Sequence, residues 1–232
     1  MAHEVLVVGA GIGGLTAAAL LAARGVNVCL LEKEQRGGGC ATTFERMGYT
    51  FEAGASLYAS WQEDEIHARV FSELAVEPPL VRIESPAYVV RLPDGKDVSV
   101  ARDDEEFYEN LRAAFPECAD AALKFYREIA TVGSALSRVA RRVPDLRTAS
   151  AARRVRAALP EIRVARRVLT ALNHTTAQHL SGTSHRFRRF VDVQLQIFGQ
   201  RDSGECAYLY ASVALMLPRW GMYAIQGGAA GL

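Results

Sequence analysis

Paired cysteines, a large net charge and an unbroken apolar run are all missing from this 232-residue chain. The four cysteines, Cys29, Cys40, Cys118 and Cys206, are far apart and none forms a CxxC pair. That spacing suggests neither a zinc site nor a disulfide framework, and it suits a reducing compartment. From Val5 to Ala23 no charged residue occurs, but Gly9, Gly11, Gly13 and Gly14 interrupt the first half of the run, and His3 and Glu4 precede it where a signal peptide has basic residues. A membrane span and a secretory leader are therefore both rejected. With 50% hydrophobic and 23% charged residues, the composition is that of an ordinary globular chain, long enough for one sizeable core or a core plus a second small domain. No internal repeat is evident.

The formal charge of +1 conceals segregation. Met1 to Leu123 holds 10 basic and 20 acidic residues, Lys124 to Arg189 holds 15 and 3, and the remainder 2 and 3. An arginine-rich island of this kind marks a nucleic-acid surface, an anionic membrane surface, or a solvated helical exterior paired with acidic neighbours, and the last is the commonest use.

Glu4 to Val8 is a short β-branched and leucine run ending at a glycine cluster, as a buried parallel strand does. Leu15 to Arg24 reads as a helix stopped by Gly25, and Val26 to Leu31 as a second strand closing at Glu32. Strand, glycine turn, helix and strand within about thirty residues is the length of a βαβ unit. Tyr49 to Ala53 is expected to be extended and Asp64 to Ala75 an amphipathic helix. Ala87 to Leu92 and Asp97 to Ala101 flank Pro93-Asp94-Gly95-Lys96 as a hairpin. Asp103 with Glu106 starts a helix that Pro116 ends or restarts. Cys118 to Leu172 is helical with breaks at Pro144 and Pro160, and His185 to Phe198 and Tyr208 to Leu217 add two helices. Tyr223 to Ile225 resembles a strand, and Gln226 to Leu232 a glycine turn opening a helix that is not completed, so a truncated chain is expected.

The chemistry lies in the first glycine turn. A pyrophosphate needs the uncapped N–H groups at a helix start, where the helix dipole also favours negative charge. Gly9 permits the tight turn, Gly11 lets phosphate approach, and Gly14 lets the helix pack on the strand. Glu32, eighteen residues beyond Gly14, stands where a carboxylate accepts hydrogen bonds from both ribose hydroxyls and repels a 2′-phosphate. FAD and NAD share this unit. An NAD domain continues with strand-helix alternation, whereas here a second glycine cluster, Gly37-Gly38-Gly39-Cys40-Ala41-Thr42-Thr43, follows at once, which favours FAD.

Val8-Gly9-Ala10-Gly11-Ile12-Gly13-Gly14-Leu15-Thr16-Ala17-Ala18, then Leu31-Glu32-Lys33, Gly38-Gly39 and Gly48-Tyr49-Thr50-Phe51-Glu52-Ala53-Gly54-Ala55-Ser56, resemble the phytoene desaturase, carotenoid isomerase and retinol saturase group of the amine-oxidase-like superfamily. The likeness is strongest over residues 3 to 58 and stays collinear to Gly227-Gly228. It implies a Rossmann-like α/β FAD-binding domain (residues 1–80), an inserted substrate domain of helices and antiparallel sheet (81–225), and the start of a return segment (226–232). It further implies noncovalent FAD, with pyrophosphate on Gly9, Gly11, Ile12, Gly13 and Gly14, the ADP ribose on Glu32 beside Lys33, and the flavin side approached by Gly38, Gly39, Thr42, Gly54, Ala55 and Ser56. Two positions depart from the family pattern: Cys40 stands where arginine is usual, and Glu52 where aspartate is usual. The activity implied is an FAD-dependent oxidoreduction or isomerisation at double bonds of an apolar polyene. A flavin amine oxidase-like enzyme and a non-catalytic nucleotide-binding remnant are the alternatives.

Remaining candidates are weaker. His174, His179 and His185 are spaced five and six apart, off any one helical face, and are read as scattered histidines, with no metal expected. Tyr208, Tyr210, Trp220 and Tyr223 read as core first and as the lining of an isoprenoid pocket second. No catalytic side chain is named, because the flavin carries the redox chemistry in such enzymes. The expected partner is an apolar small molecule and no nucleic acid. The expected location is cytoplasmic, with the arginine-rich helices as candidates for peripheral contact with the inner face of a membrane.

Overall fold

A computed structural model describes residues 2–63, 65–145 and 147–231. The chain divides into two compact units, Met1–Glu84 with Gly221–Leu232, and Ser85–Trp220. From sequence these boundaries are expected at 80 and 225. The difference arises because two four-residue strands, one at each boundary, pair with each other.

In the first unit, β1 (Val5–Val8) runs parallel to β2 (Val28–Leu31), with Val5 opposite Val28 and Val8 opposite Leu31. α1 (Ile12–Ala23) connects them, as a parallel pair requires. β3 (Thr43–Arg46) and β4 (Tyr49–Glu52) form an antiparallel hairpin, turned by Met47 and Gly48, both at positive φ. α2 (Ile66–Glu73) and β5 (Val81–Glu84) follow.

The second unit opens with the hairpin β6 (Tyr88–Arg91) and β7 (Asp97–Val100). Period-two alternation explains its placement: Val90, Val98 and Val100 are buried, while Arg91 and Asp97 form an ion pair on the open face. α3 (Asp104–Ala114) starts where Asp103 Oδ1 accepts from the Glu106 amide at 2.9 Å, a side-chain cap ahead of an acidic first turn. α4 (Ala119–Arg142) is the central element and packs against the later helix Tyr208–Ala214. α5 (Ala151–Ala158), α6 (Ile162–Thr170), α7 (His185–Gly199), α8 (Tyr208–Ala214) and α9 (Leu217–Trp220) complete the unit. Its core is aromatic: Phe107, Phe115, Phe125, Tyr126, Phe187 and Phe190 are almost wholly enclosed, and Phe107 meets Tyr126 edge-on at 4.9 Å. Gln194 lies fully buried inside this core. The Gln194 amide donates to Tyr126 at 2.9 Å and to the Phe190 carbonyl at 3.0 Å, and it accepts from the Tyr88 hydroxyl at 3.2 Å, so its burial leaves no orphaned atom.

The chain then returns as β8 (Met222–Ile225), antiparallel to β5, and ends in a 3₁₀ turn at Gly228–Gly231 within the first unit. A small core gathers there from Ala41, Tyr58, Ile225 and Ala229, with Ile12, Trp61 and Val81 against it.

Several expected boundaries move. α1 begins at Ile12 instead of Leu15, so Gly13 and Gly14 sit in its first turn although glycine costs about 1 kcal/mol in a helix. β2 begins at Val28, because the Val26 amide is drawn into the turn by the Leu21 carbonyl. The helix expected over Asp64 to Ala75 is Ile66–Glu73; Asp64 itself lies outside the described residues, as does Leu232. The helix expected over Tyr208 to Leu217 is two, α8 and α9, because Pro218 has no amide to continue the first.

Candidate dinucleotide-binding site

β1 ends at Gly9, whose φ of +96° turns the chain sharply and whose amide donates to the Leu31 carbonyl at 2.7 Å. Gly11 is the N-cap of α1, in extended conformation, with no side-chain cap, and no acidic residue follows in the first turn. No residue of the helix's own first turn caps or neutralises its positive end, which favours binding an anion there.

Added side chains show what each glycine does. A Cβ on Gly11 or Gly13 meets nothing within 4 Å, so their bareness serves no packing need among the described residues. A Cβ on Gly14 overlaps the Gly9 carbonyl oxygen, so that glycine is required for the helix to lie on the strand. Gly11 and Gly14 therefore do different work, one keeping space open and the other closing it.

Glu32, just beyond β2, reaches across to this turn. Its Oε2 accepts from the Ala10 amide at 2.5 Å, and its Oε1 accepts from Lys33 and Glu34 amides at 2.8 and 3.0 Å. The amide of Glu34, then that of Ala10, hold its carboxyl below the usual carboxylate range. The side chain is an anion fixed beside the glycine turn. Lys33 contributes its amide to this arrangement, while its ammonium is exposed 3.5 Å from Glu34.

The second glycine loop lies on the first. The Gly38 amide donates to the Ala10 carbonyl at 2.6 Å, Gly38 bridges Gly11, and a Cβ on Gly39 would stand 3.1 Å from the Gly11 Cα. The third joins through Cys40, whose carbonyl accepts from the Ala55 amide at 3.2 Å and would collide with a Cβ on Gly54. The Thr42 carbonyl accepts from the Ala53 amide at 2.8 Å. Backbone contacts thus join Gly9 to Gly14, Gly38 to Thr42 and Ala53 to Ala55 into one patch; Ser56 follows, exposed, and Ile12 turns inward onto the small core.

In the sequence Glu52 stands out only as a departure from a family pattern. In the structure its Oε1 accepts from the Ala229 amide at 2.9 Å, 177 positions away, and lies 2.7 Å from where a Gly228 Cβ would be. Its Oε2 is buried without a partner. The return turn is thereby tied to the β3–β4 hairpin by one carboxylate. The signal available was the late Gly227-Gly228 pair, but no spacing rule connects it to an acid so distant.

The other candidates fall elsewhere. His174 Nδ1 and His179 Nε2 are 3.1 Å apart and occupy each other, and His179 stacks on Tyr208 at 3.5 Å. Among the described residues no group of three or more His, Cys, Asp or Glu could hold a metal ion. Tyr208 is buried in the second unit, Tyr210 is half exposed with its hydroxyl on the Phe198 carbonyl, and Tyr223 lies in β8 of the first unit. Among the described residues no helix is long and apolar enough to cross a membrane.

Comparison with known proteins bears on this geometry. Residues 7–74 match the NAD(P)-binding Rossmann-like domain. The chain is 34% identical over 137 residues to a chloroplastic prolycopene isomerase of Daucus carota, covering 58% of this chain and 22% of the relative. It is 35% identical over 123 residues to a carotenoid 3,4-desaturase of Haloarcula japonica, covering 51% of this chain and 24% of that protein. In structure it aligns over 98% of its length with 46% of an oxidoreductase from Methanosarcina mazei, at a TM-score of 0.58 and 17% identity. The matched stretch is thus less than a quarter of each carotenoid-modifying relative, and the structural likeness is one of fold. By sequence this chain, with a Rossmann-like dinucleotide-binding unit at residues 7–74, is similar to prolycopene isomerases and carotenoid desaturases.

Proposed function

We propose that the chain serves an FAD-dependent oxidoreductase of the carotenoid desaturase and isomerase type, acting on double bonds of an apolar polyene. The observation that carries this is the pairing of an uncapped helix start at Gly11, open where side chains would stand, with an anionic Glu32 held 2.5 Å from the Ala10 amide. These residues fit the ADP half of FAD. The pyrophosphate would lie on Gly9, Gly11, Ile12, Gly13 and Gly14, and the ribose on Glu32 beside Lys33. Gly38, Gly39, Thr42, Gly54, Ala55 and Ser56 would face the flavin half, and the unpartnered Oε2 of Glu52 fits a site that a ligand completes.

When bound, FAD supplies the redox chemistry, its isoalloxazine taking up or returning a hydride. The chain's own part is to bind, orient and keep water away. The first unit is the FAD-binding domain in this reading, and the second the substrate region. A polyene substrate dissolves in lipid, so the reading includes a cytoplasmic protein resting peripherally on the inner face of a membrane through its arginine-rich helices.

The test is to express the chain with ample riboflavin, record its visible spectrum and titrate FAD. Wild type should carry or take up FAD, and Glu32→Ala should weaken uptake at least about tenfold, the loss of one charge-assisted contact. A wild-type chain that is colourless and refuses added FAD refutes the proposal.

A further inference from the structure

The proposed anion site of the first unit has a charge imbalance that its glycines do not correct. The start of α1 supplies roughly half a positive charge, while Glu32 fixes a full negative charge at the same turn, its Oε2 on the Ala10 amide at 2.5 Å. The sum is negative where a diphosphate has to settle, so the acid that suits a ribose repels the phosphates beside it. From Val5 to Ala23 no charged side chain offsets this. A diphosphate site here calls for a cation from a neighbouring segment.

The loop joining β2 to β3 carries two, Lys33 and Arg36. Lys33 shares its charge with an acid, its ammonium lying 3.5 Å from Glu34. Arg36 is exposed, and among the described residues no ion pair engages it. The three glycines that follow fix where its backbone lies. A Cβ on Gly37 would stand 3.5 Å from the Cβ and the carbonyl oxygen of Ala10, the Gly38 amide donates to that carbonyl at 2.6 Å, and a Cβ on Gly39 would stand 3.1 Å from the Gly11 Cα. Arg36 is thus the residue immediately before the stretch in which the second glycine loop lies on the first. Open space at Gly11 and Gly13, where an added Cβ meets nothing within 4 Å, is available to a long side chain from that loop.

We infer that Arg36 is the diphosphate-binding cation of this site, its guanidinium closing over the space at Gly11 and Gly13 while the N–H groups of α1 meet the same phosphates from the other side. A planar fork of N–H donors matches two phosphate oxygens at once and keeps its charge, whereas an ammonium acts as a single point. An arginine shortly beyond the acid can also grip a ribose 2′-phosphate, but Glu32 sets a like charge against that group. The inference rests on the reading of this turn as an ADP-binding site; it does not need the flavin.

Equilibrium binding of FAD, ADP, adenosine and adenosine 2′-monophosphate to the full chain tests it. Arg36→Gln should raise the Kd of FAD and of ADP alike, at least about tenfold, and leave that of adenosine unchanged. Arg36→Lys should fall between, and Lys33→Gln should weaken both nucleotides less than Arg36→Gln does. Added salt should weaken ADP binding more steeply in wild type than in Arg36→Gln. Thermal melting of Arg36→Gln should match wild type, since the side chain is exposed and unpaired. Unaltered FAD and ADP affinity in Arg36→Gln overturns the inference, as does an equal loss for adenosine and ADP. Loss confined to adenosine 2′-monophosphate overturns it in favour of a 2′-phosphate contact. The two readings fail separately: a wild type that binds ADP but refuses FAD, with ADP weakened by Arg36→Gln, strikes only the flavin, and FAD uptake that ignores Arg36→Gln strikes only the arginine. A wild type that binds neither nucleotide strikes both.

Discussion

No residue of α1 is fully buried, and in β1 beside it Leu6 is 61% and Val8 82% exposed. In α4 of the second unit eight residues are buried, and Phe107, Phe115, Phe187, Phe190 and Leu195 show no exposed surface at all. The first unit holds its glycines and its carboxylate at the proposed anion site and leaves apolar strand surface open, whereas the second closes an aromatic core upon itself. Local stability follows buried apolar area, so the two units should respond differently to the same kind of change. Phe190→Ala should cost about 3–5 kcal/mol, while Leu6→Ala, removing a side chain already mostly in water, should cost about 0.5 kcal/mol or less. Urea melts of both variants make the comparison, and equal losses would break it.

A ligand can close part of that gap. Anything that binds only the folded first unit stabilises it by mass action, about 2.7 kcal/mol at a hundredfold excess over Kd. With FAD added, amide exchange should slow in β1, α1 and β2 and stay unchanged in α3, α4 and α7. Uniform slowing across both units would mean that they unfold together.

The two glycines of the first turn sharpen the same point within one loop. Gly11→Ala places a methyl group in open space and should leave the melting temperature as it is, yet weaken FAD binding at least about tenfold, or about 1.4 kcal/mol. Gly14→Ala drives a methyl group into the Gly9 carbonyl and should lower stability of the first unit before any ligand is added. If Gly11→Ala bound FAD as wild type does, the open space would have no role in recognition.

How much of this was legible depended on distance along the chain. The βαβ unit could be read because strand, turn, helix and acid all fall between Glu4 and Glu32, and each local preference agrees with the next. The hairpin at Pro93-Asp94-Gly95-Lys96 and the cap at Asp103 were legible for the same reason. β5 and β8 were not jointly legible: each is four residues long, and the pairing of Val81 with Ile225 leaves no periodic trace between them. The Glu52 tie to Ala229 is hidden in the same way, and so is the contact of the second glycine loop with Gly11, which consists of backbone atoms alone. The outward face of α5 and α6 is half visible. Its arginines show in the charge count, but an aliphatic residue at helical spacing looks the same in sequence whether the fold covers it or leaves it exposed, as it does Leu159, Ile162 and Leu169.

Proton uptake offers the finest comparison, since each unit holds one histidine that resists charging. Burial lowers the affinity of His67 for a proton in the first unit, where its ring lies 4.3 Å from that of Trp61. Burial, then the neighbouring His174, does so for His179 in the second, opposed by Glu128 on α4. In the unfolded chain both return to about 6.5. As pH falls through that value the unfolded state takes up protons that the folded state declines, so stability is whole above it and drains away until the folded histidines are charged as well. Glu161 adds a lower step of the same direction. The two arginines hold its pKa at about 2, so its contribution is complete above the ordinary carboxylate range and is lost only as pH falls toward that value. His67→Gln should flatten the loss below about 6.5 in the first unit alone, and His179→Gln in the second alone. Melts followed separately by amide exchange in α1 and α4 would show it. If either substitution flattened both units together, their acid response would be one cooperative event, and the contrast between an open glycine turn and a closed core would not extend to their unfolding.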